Sequence, residues 1–119
     1  MHGYLANGHI QEVSASPLEI SQTFKILPKC YPHQIHPGEE EAMAIVNREA
    51  SGGMHFCSGD KAAIFTMAVL NLSANGKSLE KSLNYFGFKW KYDPKYSESR
   101  HSHHSRLGSI YRVQNVKVA

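Results

Sequence analysis

"EEEAMAIVNREASGGMHFCSGDKAAIFTMAVLNL", Glu39–Leu72, holds two helical patterns separated by a glycine turn and a short strand-like run. In the first, Ala42, Ile45, Val46 and Glu49 recur at helical spacing, with Met43 and Ala50 beside them. This predicts an amphipathic helix over about 39–50. Ser51, Gly52 and Gly53 then end it, because glycine enters the left-handed cap conformation at little cost. "MHFCS" reads as a short buried strand. Asp60 opens a second helix, to about residue 72, that is apolar nearly all round and so has to be covered on several sides.

Working outward, "SANGKS" reads as a loop, and "SLEKSLNYFGF" as a helix over about 78–87 with Leu79, Leu83 and Phe86 facing inward. Upstream, "SPLEISQTFKIL" suits a short helix starting at Ser16 with Pro17 at its first position. Pro28, Pro32 and Pro37 interrupt regular structure after it, leaving an extended connector with a short strand around Ile35. Downstream, "KWKYDPKYSESRHSHHSR" is polar and broken by Pro94, which predicts an exposed segment. "SIYRVQNVKVA" alternates as a terminal strand would, with Ile110, Val113, Val116 and Val118 as its apolar members. The chain thus divides into a weakly patterned 1–38, an ordered core over 39–88 and a basic, histidine-rich 89–119. The alternation of helices and short strands predicts an α/β fold with a short parallel sheet.

With 119 residues, 41% of them apolar, the chain can form one small domain or part of a larger one. No apolar run reaches the roughly 18 residues that span a bilayer, and the N-terminus lacks a basic start followed by an apolar stretch. The expectation is a soluble cytoplasmic protein with no membrane partner. Cys30 and Cys57 form no CxxC pair and read as reduced thiols. The net charge of +3 conceals an uneven distribution: residues 39–60 carry five acids against Arg48, whereas 61–119 carry ten basic side chains against three acids. That pattern suits a protein that holds a cation beside a polyanion, and it also suits plain solubility.

Glu39 and Asp60 head the two helices of the opening stretch. A helix leading away and a turn and strand leading back can bring them together, outside the carboxyl end of a strand, where open α/β sheets bind ligands. Two carboxylates at one spot repel unless a proton or cation intervenes, which favours Mg²⁺ or Mn²⁺. Such an ion acidifies a bound water and steadies charge on a phosphodiester. Singly, each acid has a simpler role, since Asp is a preferred N-cap and first-turn glutamates complement the helix dipole.

The run "GEEEAMAIVNREASGGMHFCSGDKAAI" resembles the second half of the PIN-domain family. There a Gly-Glu-x-Glu-Ala helix start is followed by a strand and a Thr-x-Asp or Thr-Gly-Asp-Lys motif, and "GKSLEKSLNYFGF" is similar to the helix that comes next. The resemblance covers about residues 35–88. It implies a three-layer α/β/α fold and a metal-dependent ribonuclease, often the toxin of a toxin–antitoxin pair, with Glu39 and Asp60 as its catalytic and metal-binding carboxylates. It also implies RNA as substrate, with an antitoxin, a missing N-terminal half or a second copy as partner. The family's early strand ends in an essential aspartate, and residues 1–38 contain none. The chain therefore reads as a PIN-like domain lacking its N-terminal half, active if the missing acids are supplied and inactive otherwise.

Lys61, Lys89, Lys91, Arg100 and Arg106, with Lys95 and Arg112 among them, are interleaved with Trp90, Tyr92, Tyr96 and Tyr111. That mixture can grip phosphates and stack on unpaired bases. The same residues can equally solvate a loop and cover a core edge, which leaves a non-catalytic RNA- or protein-binding α/β protein as the alternative. His101, His103 and His104, or His55 with Cys57, could hold zinc, although their spacing matches no structural zinc pattern.

Overall fold

Ser16 starts the first helix as expected, its Oγ accepting from the Glu19 N–H at 3.1 Å, and α1 runs Pro17–Phe24. The computed structural model describes residues 13–87 and 93–116. The next helix, α2, spans Pro37–Arg48. It begins earlier than expected because Pro37 occupies a first-turn position, where the absent N–H costs nothing. Arg48 ties the two helices together through Glu19 (2.8 Å) and the Ser14 carbonyl (3.2 Å). No strand forms around Ile35, correcting that expectation; the connector packs Ile35 into the core with Phe24 and Leu27 but gives its backbone no sheet neighbour.

After α2 a 3₁₀ turn, Ala50–Gly52, leads to Gly53 at φ +81°, the left-handed position anticipated for the glycine pair. The strand is shorter than expected. β1 comprises Phe56–Cys57, and it is partly exposed rather than buried. Asp60 caps α3, Lys61–Val69, with Oδ1 accepting from the Ala62 N–H at 2.9 Å. This helix stops short of residue 72 because Asn71 turns the chain at φ +63°, a conformation asparagine tolerates.

The segment expected to be a plain loop contains a 3₁₀ turn, Ser73–Asn75, and a second strand, β2, Gly76–Lys77. β2 pairs parallel with β1, Phe56 opposite Gly76 and Cys57 opposite Lys77. Strand, α3 and strand therefore form a minimal βαβ unit, the helix supplying the crossover that a parallel pair requires. Asn75 pins its return, donating to the carbonyls of Ala50 (3.2 Å) and Met54 (2.9 Å). The result is a small, mostly helical α/β unit with a two-stranded parallel sheet.

The core lies between α2 and α3, where Met43, Val46, Ala63, Met67, Leu70 and Leu72 interlock. Each large side chain removed from water there contributes about 1.5–3 kcal/mol. Ala63, Ile64 and the whole run Thr66–Val69 of α3 are buried, as an all-round apolar helix requires. Helix α4, Leu79–Tyr85, begins at Ser78, whose Oγ accepts from the Lys81 N–H (3.0 Å) and bonds Glu98 (2.5 Å). Its expected inward stripe is incomplete: Leu79 and Leu83 are half-buried, but Phe86 stands 71% exposed beside Tyr85.

The largest departure is C-terminal. After a 3₁₀ turn, Pro94–Tyr96, a single 18-residue helix, α5, runs Glu98–Asn115. The terminal strand expected over 109–119 is absent from the described part of that span, and Val118 lies outside the described residues. Ser97 caps α5 through its Oγ and Glu98 follows in the first turn, a helix start overlooked because the segment lacks an apolar stripe. Helix α5 instead approaches α3 through Gly108. A Cβ there would come within 2.2 Å of the Phe65 carbonyl oxygen and 2.9 Å of Ala68 Cβ. Arg112 completes the contact by donating to the Val69 carbonyl at 2.6 Å, satisfying a carbonyl at the α3 C-terminus.

Candidate functional site

Glu39 and Asp60 lie within electrostatic reach of each other. Glu39, in the first turn of α2, has its carboxyl pushed above the usual range, first by burial and next by the charge of Asp60. His36 and a hydrogen bond with the Ser58 hydroxyl act in the opposite direction. Ser58 links the pair further, since its Oγ also accepts from the Asp60 N–H at 3.1 Å. The Ser58 hydroxyl at the β1–α3 junction thus meets the Glu39 carboxyl on one side and the Asp60 backbone on the other. Asp60 commits one oxygen to its helix, so the role as N-cap and the position beside a second acid coexist. Among the described residues, no group of three His, Cys, Asp or Glu side chains could hold a metal ion. Two carboxylates with water still fit Mg²⁺, which commonly takes one or two protein carboxylates and completes its shell with water and substrate phosphate.

Next to Asp60 a cavity of about 520 Å³ opens between the start of α3, the 3₁₀ turn at Pro94–Tyr96 and the first half of α5. Asp60, Lys61, Lys95, Tyr96, Arg100 and His104 line it. Tyr96 is seated against the Gly59 backbone, where a Cβ would lie 2.5 Å from its Cε1 and force the ring to shift. The Lys95 ammonium lies over that ring, 5.0 Å from its centre. Burial and the positive charges of His103, Arg100, Lys61 and His33 together hold His104 below the usual histidine range. Both ion pairs among the described residues belong to Arg48, so Lys61, Lys95 and Arg100 have no carboxylate partner there.

Lys61 and Arg100 therefore line one cavity, and Arg106 does not join them. It lines a different cavity of about 400 Å³ with Lys77, Lys81, Glu98 and His101, on another face of α5. Lys89 and Lys91 lie outside the described residues. Tyr111 is a core-edge residue, its ring 5.5 Å from Tyr31 and 5.6 Å from Phe65. The grouping of Lys95, Tyr96 and His104 with Lys61 and Arg100 escaped sequence reasoning. Its one available signal was the four-residue step from Arg100 to His104, which puts both on one helical face.

The histidine and cysteine candidates for zinc fall in different surroundings. His101 and His103 sit two apart on α5, a step of about 200°, so they cannot meet one ion as they would from an extended chain. His101 is buried beside Gly76, its pKa lowered by burial. Cys30 and Cys57 are both free and exposed. His55 and Cys57 line a third groove with Lys77, Lys81, Tyr85 and Phe86. Comparison with protein-family models, with curated proteins and with solved structures returns no match to this chain.

Proposed function

We propose that the chain is a PIN-like ribonuclease domain that binds single-stranded RNA, with Glu39 and Asp60 as the carboxylates of a Mg²⁺ or Mn²⁺ site. The observation that carries this reading is that Glu39, at the start of α2, has its proton affinity raised by burial and then by the charge of Asp60, which follows β1. The helix–turn–strand–helix order and the βαβ unit support it, as does the basic cavity adjoining Asp60. On this reading the ion supplies an acidified water and charge neutralisation at a phosphodiester. Glu39 and Asp60 hold it, Ser58 orients Glu39, and Lys61 and Arg100 bind RNA phosphate. The three-layer α/β/α arrangement and a further carboxylate would come from outside the described residues, from an antitoxin-like partner, an N-terminal half or a second copy.

Mn²⁺ titration of the full chain tests the reading, with saturable binding expected in the wild type and at least tenfold weaker binding in Glu39→Gln and Asp60→Asn, the loss of roughly one charge-assisted contact. Asn keeps the N-cap, so the second variant should fold normally. Because the Glu39 proton competes with metal and its pKa is raised, binding should weaken as pH falls from neutrality, sooner than for an ordinary glutamate. Folding stability moves oppositely: a raised carboxyl pKa favours the folded state as pH drops through it. Cleavage of single-stranded RNA that persists in Asp60→Asn would sink the catalytic role.

A second reading has its own support. The Asp60 oxygen spent on the Ala62 N–H suits a non-catalytic RNA- or protein-binding α/β protein in which the acids start helices. Mn²⁺ binding that is unsaturable, or indifferent to Glu39, would favour it.

A further inference from the structure

The cavity beside Asp60 gathers cations from three elements. Lys61 lines it from α3, Lys95 from the 3₁₀ turn, and Arg100 and His104 from α5. Tyr96, wedged on Gly59, closes one wall. The described basic residues do not continue from here as a track, because Lys77, Lys81 and Arg106 gather in the separate cavity. A strand of nucleic acid passing through would want cations in line, whereas convergent cations suit a group with several free oxygens and a double charge.

We propose that this pocket binds a phosphate monoester, the 5′-phosphate end of a single-stranded RNA, through Lys61, Lys95, Arg100 and His104. The inference draws on the RNA reading above only for the source of the phosphate, and it needs no metal. Lys95 and Arg100 grip the phosphate oxygens, and Arg100 can offer two parallel N–H groups. Tyr96 lines the same space and offers an aromatic ring beside the bound phosphate. Asp60 faces the same space and opposes the anion, so it sets the affinity rather than supplying it. His104 faces Lys61, Asp60, Lys95, His33, and on its own helix Arg100 and His103. The cations disfavour its charged form, and an arriving dianion favours it, so binding takes up a proton.

The decisive experiment uses the full chain in EDTA, with a 5′-phosphorylated RNA tetramer, the same tetramer ending in a 5′-hydroxyl, and inorganic phosphate, followed by fluorescence anisotropy and competition. The phosphorylated tetramer should bind about tenfold tighter than its hydroxyl counterpart, the worth of roughly one charge-assisted contact. Lys95→Gln and Arg100→Gln should each erase most of that preference while leaving thermal unfolding unchanged, and Asp60→Asn should increase it. Equal affinity for the two tetramers would overturn the proposal, as would a loss in Arg106→Gln matching that in Arg100→Gln. Inorganic phosphate competing as well as the phosphorylated tetramer, and depending on Arg100, would support the pocket and identify free phosphate as its ligand. Sulfate, doubly charged across this range, should bind more tightly as pH falls from about 7.5 to about 5.5 in the wild type but not in His104→Gln. Asp60→Asn separates the two readings, since it should weaken Mn²⁺ binding at least tenfold and strengthen phosphate binding.

Discussion

Helices α3 and α5 lie against each other and are built on opposite principles. Every side chain of α3 from Thr66 to Val69 is buried, and its apolar residues drive it into the interior. Helix α5 is twice as long and mostly polar, burying only His101 and Gly108 fully. Apolar area holds the first helix in place. The second is held by a close backbone approach at Gly108, by Arg112 and Glu98, and by the Tyr111 ring against Phe65. The contrast teaches that a mostly polar helix can be docked through a few specific contacts where it lacks an apolar stripe.

The sharpest way to break that arrangement is Gly108→Ala. The new Cβ meets a backbone carbonyl at 2.2 Å, which cannot yield by rotating, so about 3 kcal/mol should be lost, at the upper end of overpacking effects. Urea unfolding should show a lower midpoint with an unchanged slope. Arg112→Met, which keeps the stem and removes the donor to Val69, should cost about 2 kcal/mol in the same assay. Smaller still is Tyr31→Phe. Tyr31 bonds the fully buried Thr66 hydroxyl at 2.6 Å, and losing that bond should cost about 1 kcal/mol. Burial pushes the Tyr31 phenol up to about 12, so the folded state should lose stability as pH rises from 10.0 toward that value. Ultraviolet titration should show this late-ionising tyrosine vanish in the variant. Ser97→Ala removes only the exposed cap of α5 and should cost at most about 1 kcal/mol, seen as fraying of the first turn by hydrogen exchange.

The same contrast governs what could be read from residues alone. Helix α3, its aspartate cap and the glycine turn before it were legible because apolar periodicity and special backbone residues speak for themselves. That Glu39 and Asp60 head successive helices on either side of β1 was equally plain, because each opens a helical pattern. β2 was hidden because Gly76 and Lys77 carry no strand propensity and pair only where the crossover delivers them. Helix α5 was hidden because its attachment is an absence, Gly108, and because Ile110, Val113 and Val116 imitate alternation while Val113 in fact stands 85% exposed. The basic pocket disappeared with it, since Arg100 and His104 share a face only once the segment is helical.

Arg100, His104 and Gly108 fall on one side of α5 at successive four-residue steps. The spot where the two backbones nearly touch therefore acts as a fulcrum, and Arg100 sits at the end of a rigid arm about 12 Å long. Any residue larger than hydrogen at the fulcrum would tilt that arm and swing the guanidinium away from Lys61, so a glycine that contacts no ligand sets the aim of a side chain two turns distant.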